Sequence, residues 1–195
     1  MPDHYYTENP NSAHDERRIA LQALGNDLTF VTDAGVFSRD GLDRGTEVLL
    51  EALPPLEGRV LDLGCGWGAV GAALGKKYPA LDIVMTDINS RAVELARRNL
   101  AENGVTAAVL QGDGFDAVEG RFDAIVTNPP IRAGKAVIYG LFARAREYLE
   151  PDGALYVVIR KQQGAPSALK YLKEVYSQAE TVDRGSGFHV LRARL

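Results

Sequence analysis

The chain has 195 residues, with 26 acidic against 22 basic side chains and a formal net charge of −4. That length suits one domain able to bury roughly 70% of its unfolded surface. With 46% hydrophobic and 25% charged residues the composition is that of an ordinary soluble globular protein. An acidic balance argues against a general nucleic-acid binder, which is basic throughout, though not against a local basic patch.

Residues 1–17 are polar, carry His4, Tyr5, Tyr6 and Pro10, and read as an irregular arm. Residues 18–24 and 28–32 flank Gly25-Asn26, a hairpin signal. The competing reading is a short helix over 17–24, because Ala and Leu favour helix; the hairpin is preferred. Asp33-Ala-Gly35 then turns the chain into Val36-Phe37-Ser38. Residues 43–53 look helical, apolar at Val48, Leu49, Ala52 and Leu53, and Pro54-Pro55 stops them.

From Arg59 on, two patterns alternate. Strands are expected near 59–63, 82–86, 106–110, 122–127 and 154–160, and helices near 68–77, 90–103, 134–149 and 166–176. The tail reads as a terminal hairpin, 180–183 and 188–195 around Arg184-Gly-Ser-Gly187, which adds one antiparallel strand. The fold class is therefore α/β, an open, mostly parallel sheet with helices on both faces. Residues 1–45 form an N-terminal arm and hairpin extension, and 46–195 the main unit, both parts of one domain.

The single cysteine excludes an internal disulfide and points to a reducing compartment. No apolar run approaches the length of a membrane span. The start Met1-Pro-Asp-His-Tyr-Tyr6 lacks the apolar core of a signal peptide, so a cytoplasmic protein is expected. His4, His14 and His189 are scattered, and no metal site is expected.

Ligands of such sheets bind beyond the carboxyl ends of the strands, where strand order reverses. Those ends carry Asp62 to Gly68, Asp87, Gly112-Asp-Gly114, Asn128-Pro-Pro130 and Arg160-Lys161-Gln-Gln163, so all five clusters are expected on one rim. In Val60-Leu-Asp-Leu-Gly-Cys-Gly-Trp-Gly68 a buried strand ends in alternating glycines that let backbone amides approach a ligand. Gly66-Trp-Gly68-Ala-Val-Gly71 also fits a dinucleotide pattern, which leaves a nicotinamide-dependent oxidoreductase as the rival. Asp62 and Gly64 precede it, however, and a fixed acid suits a cationic or amine-bearing ligand better than a pyrophosphate. Asp87 can accept both hydroxyls of a ribose; its rival role, helix N-cap, suits Asn89 or Ser90 better. Asp113 can accept from an adenine amino group or merely serve a turn. Cys65 reads as a small residue in a tight turn rather than a nucleophile.

Together, the glycine loop and Thr127-Asn-Pro-Pro-Ile131 resemble class I S-adenosylmethionine (SAM) methyltransferases acting on exocyclic amino nitrogens. Such a nitrogen on an aromatic ring is a poor nucleophile, its lone pair being delocalised. The side-chain oxygen of Asn128 and a main-chain carbonyl can each accept one of its N–H groups and aim the lone pair. Pro129 and Pro130 pre-set those acceptors. No strong base is needed, because the proton can leave after transfer.

Longer stretches narrow the likeness. Gly35-Val-Phe-Ser-Arg-Asp-Gly-Leu-Asp43, the loop Asp62 to Gly68, Thr127 to Lys135 and Lys161-Gln-Gln-Gly-Ala-Pro166 resemble the methyltransferase small-domain proteins. Those are relatives of the RsmC-type 16S ribosomal RNA guanine-N2 methyltransferases, and His4-Tyr-Tyr6 looks like the short single-domain members. The resemblance implies a Rossmann-like seven-stranded sheet, SAM as methyl donor, and ribosomal RNA or the small ribosomal subunit as partner. Guanine N2 is the implied acceptor; adenine N6 and a protein glutamine amide are rivals within the superfamily. It further implies a SAM site of Asp62, Gly64, Cys65, Gly66, Gly68, Asp87, Ile88, Asp113, Gly114 and Asn128. Catalysis falls to Asn128, Pro129 and Pro130, and substrate contacts to Phe37, Arg39, Ile131, Arg132, Lys135 and Lys161. Many relatives place a base-stacking aromatic after Pro-Pro. Ile131 stands there instead, which leaves Phe37, Tyr5 and Tyr6 as stacking candidates. The longer relatives also carry a second methyltransferase-like domain.

Overall fold

The computed structural model describes residues 7–195, so His4, Tyr5 and Tyr6 lie outside the described residues. Strands β1 (Arg17–Ala23) and β2 (Asn26–Thr32) form a two-stranded antiparallel hairpin. Its connection is Leu24-Gly25, both at positive φ (50° and 79°). Two such residues give the turn whose twist matches paired strands, which is why the hairpin wins over a helix here.

Helix α1 (Arg44–Ala52) is capped by Asp43, whose carboxylate accepts from the Gly45 and Thr46 amides. Then follow β3 (Arg59–Leu63), α2 (Ala69–Lys77), β4 (Asp82–Asp87), α3 (Ser90–Glu102), β5 (Ala108–Gln111) and β6 (Phe122–Thr127). Helix α4 (Lys135–Ala145), β7 (Leu149–Arg160), α5 (Ala165–Val175), β8 (Gln178–Gly185) and β9 (Phe188–Arg194) complete the chain. Asn89 caps α3. The seven strands lie in the order β5-β4-β3-β6-β7-β9-β8, all parallel except β9.

Two elements differ from their sequence pattern. Helix α4 stops at Ala145 and a 3-10 turn covers Arg146–Tyr148. Strand β7 begins at Leu149, five residues before the expected start, in spite of Pro151-Asp-Gly153. The β6–β7 register jumps from Phe122↔Leu149 to Ala124↔Ala154, so a bulge absorbs those turn-forming residues on an otherwise continuous strand.

Strand residues alternate between two cores. Val60, Ile83, Met85, Val126 and Val158 face α1, α2, α3 and the hairpin. Leu61, Val84, Ile125, Val157 and Ile159 face α4 and α5. Gly71 lets α2 lie close on β4, since a Cβ there would sit 2.3 Å from Met85 Sδ.

The hairpin is held by two asparagines one turn apart on α3. Asn99 accepts the Val31 N–H (2.7 Å) and donates to the carbonyls of Val31 and Trp67 (2.9 and 2.8 Å). Asn103 repeats this with Thr29, at 3.0 and 2.7 Å. The two amides thus stand in for a neighbouring strand on the outer edge of β2. Replacing Asn99 by Leu would strand three backbone groups, each costing about 1–3 kcal/mol when buried and unpaired. Asn99→Leu is expected to lower unfolding free energy by on the order of 3 kcal/mol or more in urea melts followed by Trp67 fluorescence. A loss below about 1 kcal/mol would show that the hairpin is held by apolar contact alone.

Candidate active site

Strand order reverses between β3 and β6, since β4 and β5 lie to one side of them and β7 to the other. A cavity of about 410 Å³ opens at the carboxyl ends of β3, β4 and β6. Sequence order explains the placement: each parallel strand delivers its following loop to the same rim.

The glycine turn forms the cavity floor. Gly64 and Cys65 donate their amides to the Thr86 carbonyl at 2.8 and 3.0 Å, which ties the turn to β4. Gly66 donates to Asp87 Oδ2 (2.8 Å), and Asn89 donates to Oδ1 (2.9 Å). Gly64 and Gly66 sit at φ 77° and 54°, and a Cβ on either would meet no protein atom within 4 Å. Their missing side chains leave open space where a ligand can lie against backbone. Thr86 Oγ1, on the cavity wall, is buried without a hydrogen-bond partner. Trp67 anchors the turn from behind: its indole N–H donates to the Phe37 carbonyl (2.8 Å) and its ring packs edge-on against Phe30.

Asp62 lies under this turn rather than in the cavity wall. Its residue parity in β3 matches Val60, so it faces α2, and Oδ2 accepts the Gly71 amide (3.2 Å) in the first turn of that helix. Burial, above all, pushes its carboxyl up to about 7; the Gly71 bond pulls it down and Asp87 raises it. Burial likewise raises Asp87, against the bonds from Asn89 and Gly66. The Cys65 thiol is buried and pushed well up by the same burial, which keeps it protonated.

The Asn128 amide is oriented by chemistry. Nδ2 donates to Asp43 Oδ2 (2.9 Å) and Thr46 Oγ1 (3.0 Å). A carboxylate can only accept, so the NH₂ must be the end that faces Asp43. Both amide protons are spent there, and Oδ1 is left as the acceptor that Asn128 offers. Pro129 and Pro130 follow it along the cavity wall.

Of the expected SAM residues, Gly64, Gly66, Asp87, Ile88, Asp113, Gly114 and Asn128 line this cavity. Asp62, Cys65 and Gly68 do not line it: all three are buried behind the turn. Of the expected substrate residues, Phe37 and Arg132 line the cavity. Lys135 and Lys161 are exposed outside it. Ile131 sits in a 3-10 turn and packs towards the α4–α5 core. Arg39 turns away, its guanidinium bonded to the Asp15 carbonyl and paired with the Asp15 carboxylate. The sequence reading missed Asp43 and Thr46, and also Thr86, Val137 and Leu141, which complete the wall. Val137 carried a signal in retrospect, as a half-exposed valine on the first turn of α4.

Residues 27–192 match the family described as methyltransferase small domain. The chain belongs to that family. Across its whole length it is 38% identical to an uncharacterized protein, YbxB, of Bacillus subtilis (strain 168), of which it covers 99%. It is 38% identical over 94% of its length to ribosomal RNA small subunit methyltransferase C of Stutzerimonas stutzeri (strain A1501), covering 56% of that protein. Among solved structures, the T. thermophilus 16S rRNA N2 methyltransferase RsmC in complex with AdoMet and guanosine superposes with a TM-score of 0.83. Identity there is 29%, over 95% of this chain and 52% of that one. The chain thus spans about half the length of the curated ribosomal RNA methyltransferases it matches.

Members of this methyltransferase family use SAM, and the residues present fit it. The open glycine floor, the unpaired Thr86 hydroxyl and the acids Asp87 and Asp113 suit a ligand carrying amine, ribose and cationic groups. Among the described residues no group of three or more His, Cys, Asp or Glu could hold a metal ion. No helix among them is long and apolar enough to cross a membrane.

The buried Asp62 gives a pH signature. Its ordinary value is 3.8 and its folded value about 7, so the folded protein holds a proton that the unfolded chain has lost. The stability this contributes is full below 3.8 and lost as pH rises through about 7. With about 1.4 kcal/mol per tenfold change in proton affinity, the loss is on the order of 4 kcal/mol. Asp62→Asn, which keeps an acceptor for Gly71, is expected to remove that slope from the ligand-free protein. The check is urea denaturation of both proteins across pH 4 to 8; parallel curves would place the titration elsewhere.

Proposed function

We propose that the chain transfers a methyl group from SAM to an exocyclic amino nitrogen, namely guanine N2 of small-subunit ribosomal RNA, in the cytoplasm. One observation carries this reading: Asn128, its NH₂ tied off by Asp43 and Thr46, presents an oxygen acceptor and the Pro129-Pro130 corner on the same cavity as the glycine turn. The relatives named ribosomal RNA small subunit methyltransferase C, and the RsmC structure with guanosine, support the choice of acceptor.

SAM supplies an electrophilic methyl carbon on a sulfonium, whose sulfur keeps the bonding electrons as the new nitrogen–carbon bond forms. The protein's part is placement. Asp87 accepts from the ribose hydroxyls and Asp113 from the adenine amino group. Asn128 Oδ1 and a main-chain carbonyl of the Asn-Pro-Pro corner accept the two N–H groups of the incoming amine. That aims the lone pair into the cavity and offsets its delocalisation into the ring. The proton leaves to water after transfer, so no histidine or lysine is required among the described residues of the cavity wall. Phe37 offers the apolar face against which the base rests, in place of an aromatic at position 131, and Arg132 reaches the adjoining phosphate.

Two variants separate the roles. Asn128→Ala is expected to keep the SAM dissociation constant and lose about 10²-fold or more in kcat, the scale of a misplaced reacting atom. Asp87→Ala is expected to weaken SAM binding by on the order of 1.5–3 kcal/mol, since it removes an acceptor from a largely buried site. Calorimetry with SAM and methyl transfer to small ribosomal subunits read the two effects. Full turnover by Asn128→Ala would contradict the amine-holding role, and unchanged SAM affinity in Asp87→Ala would reject the ribose contact.

A further inference from the structure

The cations of this chain are distributed unevenly in their pairing. Around the hairpin and α3 most are paired with acids, Arg98 with Glu16, Arg18 with Glu102 and Arg91 with Asp33, while Arg97 donates to the Val109 carbonyl. Beyond β6, Arg144 and Arg192 are paired with Asp116 and Glu180, but four cations near the rim are not. Arg160 ends β7, Lys161 follows it, Arg184 lies near the end of β8 and Lys135 opens α4. All four are exposed, and none has an acidic partner among the described residues.

These four lie at one end of the sheet, Arg160 with Phe188 on the α1 face and Arg184 with His189 on the opposite face. Lys135 Cε reaches to 4.0 Å of where a Gly164 Cβ would stand, at the end of the turn that Lys161 begins. The Lys161 amide donates to the Gly187 carbonyl (2.8 Å), which joins that turn to the β8–β9 connection. Arg160 lies over the Phe188 ring at 5.7 Å. His189, opposite Arg184 in the ladder, is held below the usual histidine range by burial first and then by Arg184 and Lys161. The surface also adjoins the amine-holding corner. The Phe188 ring sits against Gly45, where a Cβ would be 2.9 Å away, and Gly45 opens the turn whose cap, Asp43, holds Asn128.

We propose that Lys135, Arg160, Lys161 and Arg184 form the docking wall for the phosphate backbone of the RNA acceptor, so that the strand bearing the target base arrives over the β8–β9 turn. The inference rests on the RNA reading above. Unpaired cations on a rigid sheet end position a polyanion without reading its sequence. An α3 side whose arginines are already satisfied offers no comparable attraction. Arg160, spread on Phe188, is held flat at the wall.

The test is binding of in-vitro transcribed small-subunit ribosomal RNA by filter assay, across a salt series, with calorimetry of SAM as the check on folding. The double reversal Lys161→Glu with Arg184→Glu is expected to raise the RNA Kd at least about tenfold. It should also flatten the slope of log Kd against log salt by about 1.5, for two lost phosphate contacts. Arg98→Glu, on the α3 side, is expected to change the Kd less than about threefold. Equal losses in both variants would mean that bulk charge alone is at work, and RNA binding unchanged in the double variant would remove the wall; either result leaves the acceptor reading standing. Loss of binding to intact subunits but not to naked RNA would assign the surface to a protein partner and overturn the inference. Failure of the unaltered protein to bind any RNA would overturn both.

Discussion

One carboxylate joins the framework to the chemistry. Asp43 Oδ2 collects the Gly45 and Thr46 amides and the Asn128 side chain at 2.8, 3.2 and 2.9 Å. The first two contacts start α1; the third fixes which end of an amide faces the cavity. An asparagine free to flip would present NH₂ to an incoming amine half the time, donor against donor. The carboxylate forbids that state, because it has nothing to donate. Helix capping and orientation of the amide are therefore the same interaction, and α1 cannot be remodelled without disturbing the Asn-Pro-Pro corner.

The glycine turn depends on a second set of contacts, supplied from outside the sheet. Trp67 is 3% exposed and faces away from the cavity, into Phe30 of the hairpin and the carbonyl of Phe37. Asn99 binds both the Trp67 carbonyl and the edge of β2. Arg91, at the start of α3, donates to the carbonyls of Ser12 and Ala34 and faces Asp33, gathering the arm and the loop before Phe37. Residues ahead of the first sheet strand thus pack directly behind the cavity floor.

Much of this was legible in the sequence, and the gaps have physical causes. Alternating periods placed every sheet strand, and the clusters at their ends reached one rim because parallel connections leave no other choice. Turn chemistry misled at Pro151-Asp-Gly153, where a bulge lets a strand pass through residues that normally end one. Asp62 was expected to line the SAM site from the family resemblance. Strand parity, readable from Val60 and Leu61, turns it towards α2 instead. Arg39, expected among the substrate contacts from the family resemblance, is instead paired with the arm's Asp15. The partnership of Asp43 with Asn128 was beyond reach: the two are 85 residues apart and meet only after the sheet assembles. Residues separated in that way leave no periodic trace.

The net charge of −4 conceals a division across the cavity mouth. Asp62, Asp87 and Asp113 come from the β3 to β5 side, and burial raises Asp62, to about 7, and Asp87 above ordinary carboxyls. The four unpaired cations Lys135, Arg160, Lys161 and Arg184 come from the α4, β7 and β8 side. A sulfonium donor and a phosphodiester acceptor carry opposite charges, so one uniform potential could not attract both. On the reading proposed above, acids beneath the donor and bases beside the acceptor would resolve that conflict, and a cation above them would lower the electrostatic cost of keeping the acids buried. On the RNA reading proposed above, the acidic total is compatible with nucleic acid, since the arm and hairpin are paired with α3 and the following loop and the four unpaired cations at the end of β7 and β8 are locally basic.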